Sequence, residues 1–536
     1  MRPFVLAALL LPSLALAQPL QRIAEVEVYP SQPVFTSAGG AVYFSGSATG
    51  GTPLLWRTDG TPDGTRAVTP EVVQPAQMVP YAGGLYLAGK TAVGEPAQLY
   101  RTVGSSGTAE VFGGATDVDH LTVTGGALFF AGRSPDLGLE PWRGDATEVG
   151  PLGDVCAGPC DSNPRGFATT SEGVTVFGAT DRFTGDEQVG DELWRAGANN
   201  VELVADLHPG GSSSPGGFAT MDGVLYFTAE GEDAEGNDVG RELFETNGQD
   251  IGTELVVDNN PGSAFSGIRF LGDTSGGGVW GVFRDGGYEP HRLTPDGFEL
   301  LGDLNGRSGG SLDATMCSPD RCDISELFDG DLYFAAEPSF SRRRLYVSDG
   351  VTVSAVPTPA GVDRLEYPTR FAGGLAMQGC DDARTSCGLY ALTASGETPT
   401  LLAPLPEGTS LFGMEALGNG LVIQLNVGSF TYELWGYGLV ATDAASAPEP
   451  GPLTLAASPS PATAAVAFAF DLPAPADVRL TLHDALGRRL AVLVDGAMGA
   501  GAQQVRHAVD GLAPGVYLAR LVAGDRVATR SVVVAR

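Results

Sequence analysis

One pattern returns nine times along this chain, and it limits the fold more than any other feature. Gly40 opens "GAVYFSG", which is followed by "LLWRTDGT" (Leu54 to Thr61). Gly126 opens "GALFFAG", followed by "EPWRGD", and Gly173 opens "GVTVFGA", followed by "ELWRAG". Further copies start at Gly84, Gly223, Gly278, Gly330, Gly374 and Gly420, so that successive marker glycines lie 42 to 55 residues apart. The extra length falls between the two quoted strands. Short β-rich runs broken by Gly, Asp and Asn, at a period of roughly 40 to 50 residues, describe one four-stranded propeller blade per copy. Helical periodicity is nearly absent. The expected fold is all-β: a β-propeller of about nine four-stranded repeat units, eight or nine blades, over residues 22–442.

The third strand of each unit has an aromatic slot, filled by Trp56, Tyr100, Trp142, Trp194, Phe244, Tyr346, Tyr390 and Trp435, with His291 in the sixth unit. A large flat side chain recurring once per unit reads as packing between neighbouring blades, burying about 150–250 Å² each, rather than as catalysis. The Asp59-Gly60 and Asp349-Gly350 steps, with Asn247-Gly248, are hairpin-turn signatures, because these residues tolerate positive φ. The fourth-strand texture of "LVADLHPGGSSS" (Leu203 to Ser214) is echoed before the first full unit by "AEVEVYPSQPVF" (Ala24 to Phe35). If that segment completes the last unit, both chain ends seal the ring and no sheet edge stays open.

Units reading Gly-x-Leu-Tyr-Phe and then Glu-Leu-Trp-x-x-Asp-Gly-Thr resemble the bacterial ELWxxDGT repeat family of secreted β-propellers, over roughly Ala24 to Ala441. That resemblance implies shape and export rather than a reaction.

Composition changes at the Pro-rich stretch 443–454, read as a linker. Residues 451–536 hold eight arginines against six aspartates, no lysine and no glutamate. The tail is therefore +2 and the remainder −35 of the total −33. Alternating runs such as "VRLTLHD" and "GVYLARLV" point to a small C-terminal β-sandwich over 455–536. "SPSP", "VRLTLHDALGRRLAVL", "GLAPGVYLARL" and the terminal arginine together resemble the type A sorting domain of the type IX secretion system. On that resemblance the sorting motif comprises Pro461, Asp484, Gly487, Arg488, Gly515, Tyr517 and Arg536. Implied with it are passage across the outer membrane on the type IX secretion machinery, removal of the tail, and attachment to the cell surface or release.

The N-terminus fits that route. Residues 1–17 carry one positive charge, an apolar run and an Ala-x-Ala site, a secretory signal cleaved between Ala17 and Gln18. No segment supplies the roughly 20 apolar residues of a transmembrane helix. Six cysteines fall as close pairs, Cys156 with Cys160, Cys317 with Cys322 and Cys380 with Cys387, and are read as local disulfides of an exported chain. The acidic surface makes nucleic acid an unsuitable partner.

No nucleophile elbow, HExxH or phosphate loop occurs, and the five histidines share no ligand spacing. The sharpest polar feature is a pair of acidic insertions before the third strand of units four and five. Their oxygen donors, Asp181, Asp186, Glu187 and Asp191, then Glu232, Asp233, Asn237 and Asp238, could hold calcium, the one cofactor suggested here. Set against that are solvated acidic loops without EF-hand spacing. The functional expectation is a non-catalytic binding or adhesion scaffold, taking a glycan or a surface protein on its loops. Two alternatives stay open: a secreted glycan hydrolase or lyase using acidic loop residues, and a structural coat component.

Overall fold

The computed structural model describes residues 20–535 apart from 30–33, 49, 104–107, 182–189, 198–199, 210, 234, 263–265, 275, 285–286, 305–311, 313–324, 340–341, 373, 429–430, 440–452, 454, 460, 463–464, 473–475, 484–488, 499–500, 510 and 524–525. Among the described residues the only helix is a 3-10 turn at Asp250–Gly252, and all other regular structure is strand.

The repeats fold as antiparallel four-stranded units, entered at the inner strand and left at the outer one. Unit four runs Arg165–Thr169, Thr175–Asp181, Gly190–Ala196 and Val201–Ala205 in that spatial order. Among the described residues nine such units form. Their inner strands are Phe35–Ala38, Val73–Tyr81, the second half of Thr108–Thr124, Arg165–Thr169, Gly216–Met221, Arg269–Thr274, Ser325–Phe328, Arg364–Phe371 and Ser410–Leu417. Each lies beside the next, and the last returns to the first, which closes the β-propeller. Thr108–Thr124 is one continuous strand. Its first part pairs with Gln98–Val103 as the outer strand of unit two, and its last part pairs with Ala127–Ser134 as the inner strand of unit three.

The ring is sealed by the N-terminal segment. Gln21–Val28 pairs antiparallel with Thr431–Tyr437 and supplies the outer strand of unit nine. Ile23, Val26 and Val28 then pack on Phe35, Phe44, Tyr432 and Leu434. This joint removes the bare edge that an open sheet would present to other chains.

The aromatic slot packs as the sequence implies. Trp142 lies with Tyr86, Leu99 and Phe112 of unit two, and Trp194 with Phe129 of unit three. Within their own units several of these rings meet an aromatic on the second strand: Trp56 stacks on Phe44 at 6.4 Å and Trp142 on Phe130 at 5.7 Å. A glycine on that second strand makes the room. A Cβ on Gly132 would stand 2.8 Å from the Trp142 ring, whose Nε1 donates to the Gly132 carbonyl at 2.8 Å. His291 takes the slot in unit six, buried, with its Nδ1 2.9 Å from the Glu289 carbonyl.

Cys156–Cys160 and Cys380–Cys387 are disulfide-bonded, the latter linking cross-strand partners. Cys317 and Cys322 lie outside the described residues, as do Ala17 and Gln18. The C-terminal module is a two-sheet sandwich. Leu455–Ser458, Ala465–Leu472 and Gly501–Ala508 form one sheet, and Arg489–Met498, Ala476–His483, Gly515–Ala523 and Arg526–Val534 the other. Phe468, Leu480, Leu482, Ala519 and Leu521 fill the space between them. Tyr517 is buried and its hydroxyl donates to the Ala513 carbonyl at 2.6 Å, while Pro461 and Gly515 are exposed. Asp484, Gly487, Arg488 and Arg536 fall outside the described residues.

Candidate functional site

In units three, four and five the glutamate that opens the third-strand motif points inward, whereas Glu433 of unit nine is partly exposed and pairs with Arg22. Glu140, Glu192 and Glu242 are each 0 % exposed, on the third strands of units three, four and five. Each carboxylate reaches across to the passage between its own unit and the next. Glu140 accepts from the Val155 N–H at 2.8 Å and the Ser162 hydroxyl at 2.8 Å. Glu192 accepts from the Leu207 N–H at 3.1 Å, the Ser213 N–H at 2.8 Å and the Ser213 hydroxyl. Glu242 accepts from the Asn259 N–H at 3.2 Å and the Ser266 hydroxyl.

The serines are stitched on both sides by their backbones. Ser162 N–H donates to Leu139 of its own unit's third strand, and its carbonyl accepts from Thr180 of the following unit's second strand. Burial pushes each glutamic acid up to about 7, against the pull of its serine and N–H donors, and Asp154, Asp206 and Asp258 push the same way. Protonated, each carboxyl carries no charge and keeps its carbonyl oxygen as an acceptor, while its hydroxyl becomes a donor. These three glutamates are thus staples between units.

What the motif leaves over gathers at one end of the inner strands, where arginines form a collar. Arg165, Arg269 and Arg364 are the first residues of three inner strands. Arg165 forms a two-point pair with Asp191. Arg133 donates to Asp161 through both terminal nitrogens, at 2.8 and 2.9 Å, and to Asp117 through Nε at 2.7 Å. Arg384 binds Glu366 at 2.7 Å, and the Arg269 guanidinium lies 4.8 Å over the Tyr288 ring. Arg241 donates to the carbonyls of Ser214 at 2.8 Å and Thr228 at 3.2 Å, and burial holds its pKa below the usual guanidinium range. The inner strands carry register shifts at Gln77, His120 and Tyr367, each with positive φ, which interrupt the ladder beside the axis.

Nearer the other end of the inner strands, Glu326 on unit seven sits with Arg370 of unit eight and Glu415 of unit nine. Burial pushes Glu326 up to about 7; Arg370 draws it down and Glu415 raises it further.

The acidic insertions lie only partly among the described residues. Asp186 and Glu187 lie outside the described residues. Asp191 is committed to Arg165, and Asp181 ends the second strand opposite Gly190. Asp233 caps its own loop, accepting from the Asn237 N–H at 2.8 Å and its amide at 2.8 Å, contacts that hold it below the usual carboxylate range. Asp238 accepts from the Gly240 N–H at 2.8 Å, and Glu232 lies opposite Asp238 in the hairpin. Among the described residues no three His, Cys, Asp or Glu side chains converge on a metal position.

A scan against protein-family models finds no match, and a search of curated proteins finds none either. Solved structures do match. A prolyl endopeptidase is 14 % identical over 75 % of this chain and 56 % of its own, with a TM-score of 0.33. A puromycin hydrolase is 11 % identical over 73 % of this chain and 57 % of its own, at 0.35. The GH74 xyloglucanase of Xanthomonas campestris is 10 % identical over 81 % of each chain, at 0.28. The chain spans under two thirds of the length of the first two. Among the described residues no helix is long and apolar enough to cross a membrane.

Proposed function

We propose that this is an exported bacterial propeller that binds a glycan at its arginine collar without turning it over. The collar carries the reading. Arg133–Asp161, Arg165–Asp191 and Arg384–Glu366 place donors and acceptors side by side in fixed planes. Sugar hydroxyls both donate and accept, so rigid guanidinium–carboxylate pairs suit them, and the paired charges leave little net field for a simple ion. Export by the type IX route, to the cell surface or the medium, belongs to the same reading. Its support is the signal-like N-terminus, two formed disulfides and a terminal β-sandwich carrying the sorting-like motifs.

A second reading, a glycan hydrolase, is favoured by one observation: Glu326 is held near neutrality with Glu415 two inner strands away. Calorimetry and a reducing-end assay on one polysaccharide panel separate the two. Binding with no new reducing ends supports the scaffold. Reducing ends that vanish in Glu326→Gln replace it with the hydrolase, and a panel that neither binds nor reacts sinks both and leaves a coat component.

A further inference from the structure

The residue after the aromatic slot is an arginine in five units, and the register gives each one a fixed neighbour on the outer strand. In units two, four and six that neighbour is a glutamate. Glu110 stands opposite Arg101, Glu202 opposite Arg195 and Glu299 opposite Arg292. In each pair the arginine Nε donates to the carboxylate, at 2.7, 2.9 and 2.8 Å. Arg143 of unit three faces Gly150 and is exposed to water.

Unit one departs from both arrangements. Arg66 stands opposite Arg57, and the second-strand neighbour on the other side is Tyr43. This cross-strand row therefore runs tyrosine, arginine, arginine, with no acid in it. Arg57 is 8 % exposed, and its Nε, the atom that meets glutamate in the sister units, is enclosed without a hydrogen-bond partner among the described residues. Like charges directly opposite each other repel, and a buried guanidinium with no acceptor loses hydration without compensation. Both costs fall on one pair, at a place where three other units put a carboxylate.

We infer that unit one binds a carboxylate here, carried by a small organic acid or by an acidic glycan, in the position that the outer-strand glutamate takes in units two, four and six. Arg57 offers a desolvated donor, and exposed Arg66 marks the side from which the anion enters. The net charge of −33 gives an anion no long-range attraction, so selection comes from these two guanidiniums at contact. The site lies on the outer half of its unit, apart from the inner-strand collar, and does not depend on what the collar binds.

Calorimetric titration of the full chain with glucuronate and with polyglucuronate, each against chloride at equal ionic strength, tests it. Glucuronate should saturate one site and raise the melting temperature, as a ligand of the folded state must. Arg57→Met should weaken binding by on the order of tenfold or more, because a charged donor is gone. Arg66→Glu rebuilds the pair of the sister units; it should abolish binding and melt above the unliganded wild type, which shows the unit intact. Polyglucuronate binding tighter by on the order of tenfold, and lost in the same two variants, assigns the carboxylate to an acidic glycan; equal affinity per uronate assigns it to a small acid. A melting shift that chloride reproduces, an affinity unchanged in Arg66→Glu, or no binding of either probe overturns the site.

Discussion

Raising the pH from 5 to 8 should loosen this propeller through its buried carboxyls, Glu326 and three that staple units together. Glu140, Glu192 and Glu242 each stand at about 7 in the folded chain, against 4.5 for the free side chain. Because the folded value is the raised one, the stabilisation is complete below about pH 4.5 and is lost as pH climbs through about 7. A tenfold change in proton affinity is worth about 1.4 kcal/mol, so each staple forfeits about 3 kcal/mol across that window. For a cooperative unit of about 420 residues the unfolding entropy is roughly 0.9 kcal/mol per degree, which makes about 3 °C per carboxyl and about 10 °C for three. Carboxylates pulled the other way, such as Asp145, Glu202 and Asp233, respond only when pH falls below the usual carboxylate range and stay out of the window. The assay is differential scanning calorimetry from pH 5 to 8 on the full chain and on Glu140→Gln/Glu192→Gln/Glu242→Gln, since glutamine does not titrate and keeps one carbonyl oxygen as acceptor. The wild type should lose melting temperature as pH rises, and the triple variant should lose markedly less. Parallel slopes for the two proteins would refute the staple reasoning.

Two further outcomes follow from packing. Gly132→Ala places a Cβ 2.8 Å from the Trp142 ring and 3.0 Å from the Ala115 Cβ; it should cost about 1–3 kcal/mol in urea unfolding, and a neutral result would mean the indole is not held against that strand. Deleting residues 21–28 bares the edge of Thr431–Tyr437; the product should aggregate in a concentration-dependent way and melt lower, whereas a monomer with an unchanged transition would show that the closure is dispensable.

The repeat itself was legible because its signals are local. Asp59-Gly60 turns and aromatic slots recur within a single unit, and the apolar strand texture of Ala24 to Phe35 was enough to foresee that both chain ends meet in unit nine. The role of the motif glutamate was not, because its partner lies across a unit boundary: Ser162 follows Glu140 by 22 residues. Glu192 and Glu242 were visible as the first residue of a Glu-Leu-aromatic run, and that run gave no hint of a buried acid. A signal did exist, the Ser-bearing lead-in before the inner strands of units four, five and six. The collar was hidden for a similar reason, since Arg165 meets Asp191 only once strands one and three share an end. Glu326 and Glu415, on inner strands of different units, have no common motif at all.

Scaffold and site fall to different residues of the same unit, and unit four offers both. The decisive measurement is glycan affinity and melting temperature at pH 8 on three proteins: wild type, Glu192→Gln and Arg165→Ala, with the glycan taken from the panel that binds the wild type. Glu192→Gln should melt higher than the wild type at that pH and bind as well as it does, while Arg165→Ala should lose at least tenfold in affinity with little change in melting. The reverse pattern, affinity lost with Glu192 and kept without Arg165, would contradict the division of labour and return the function to the motif.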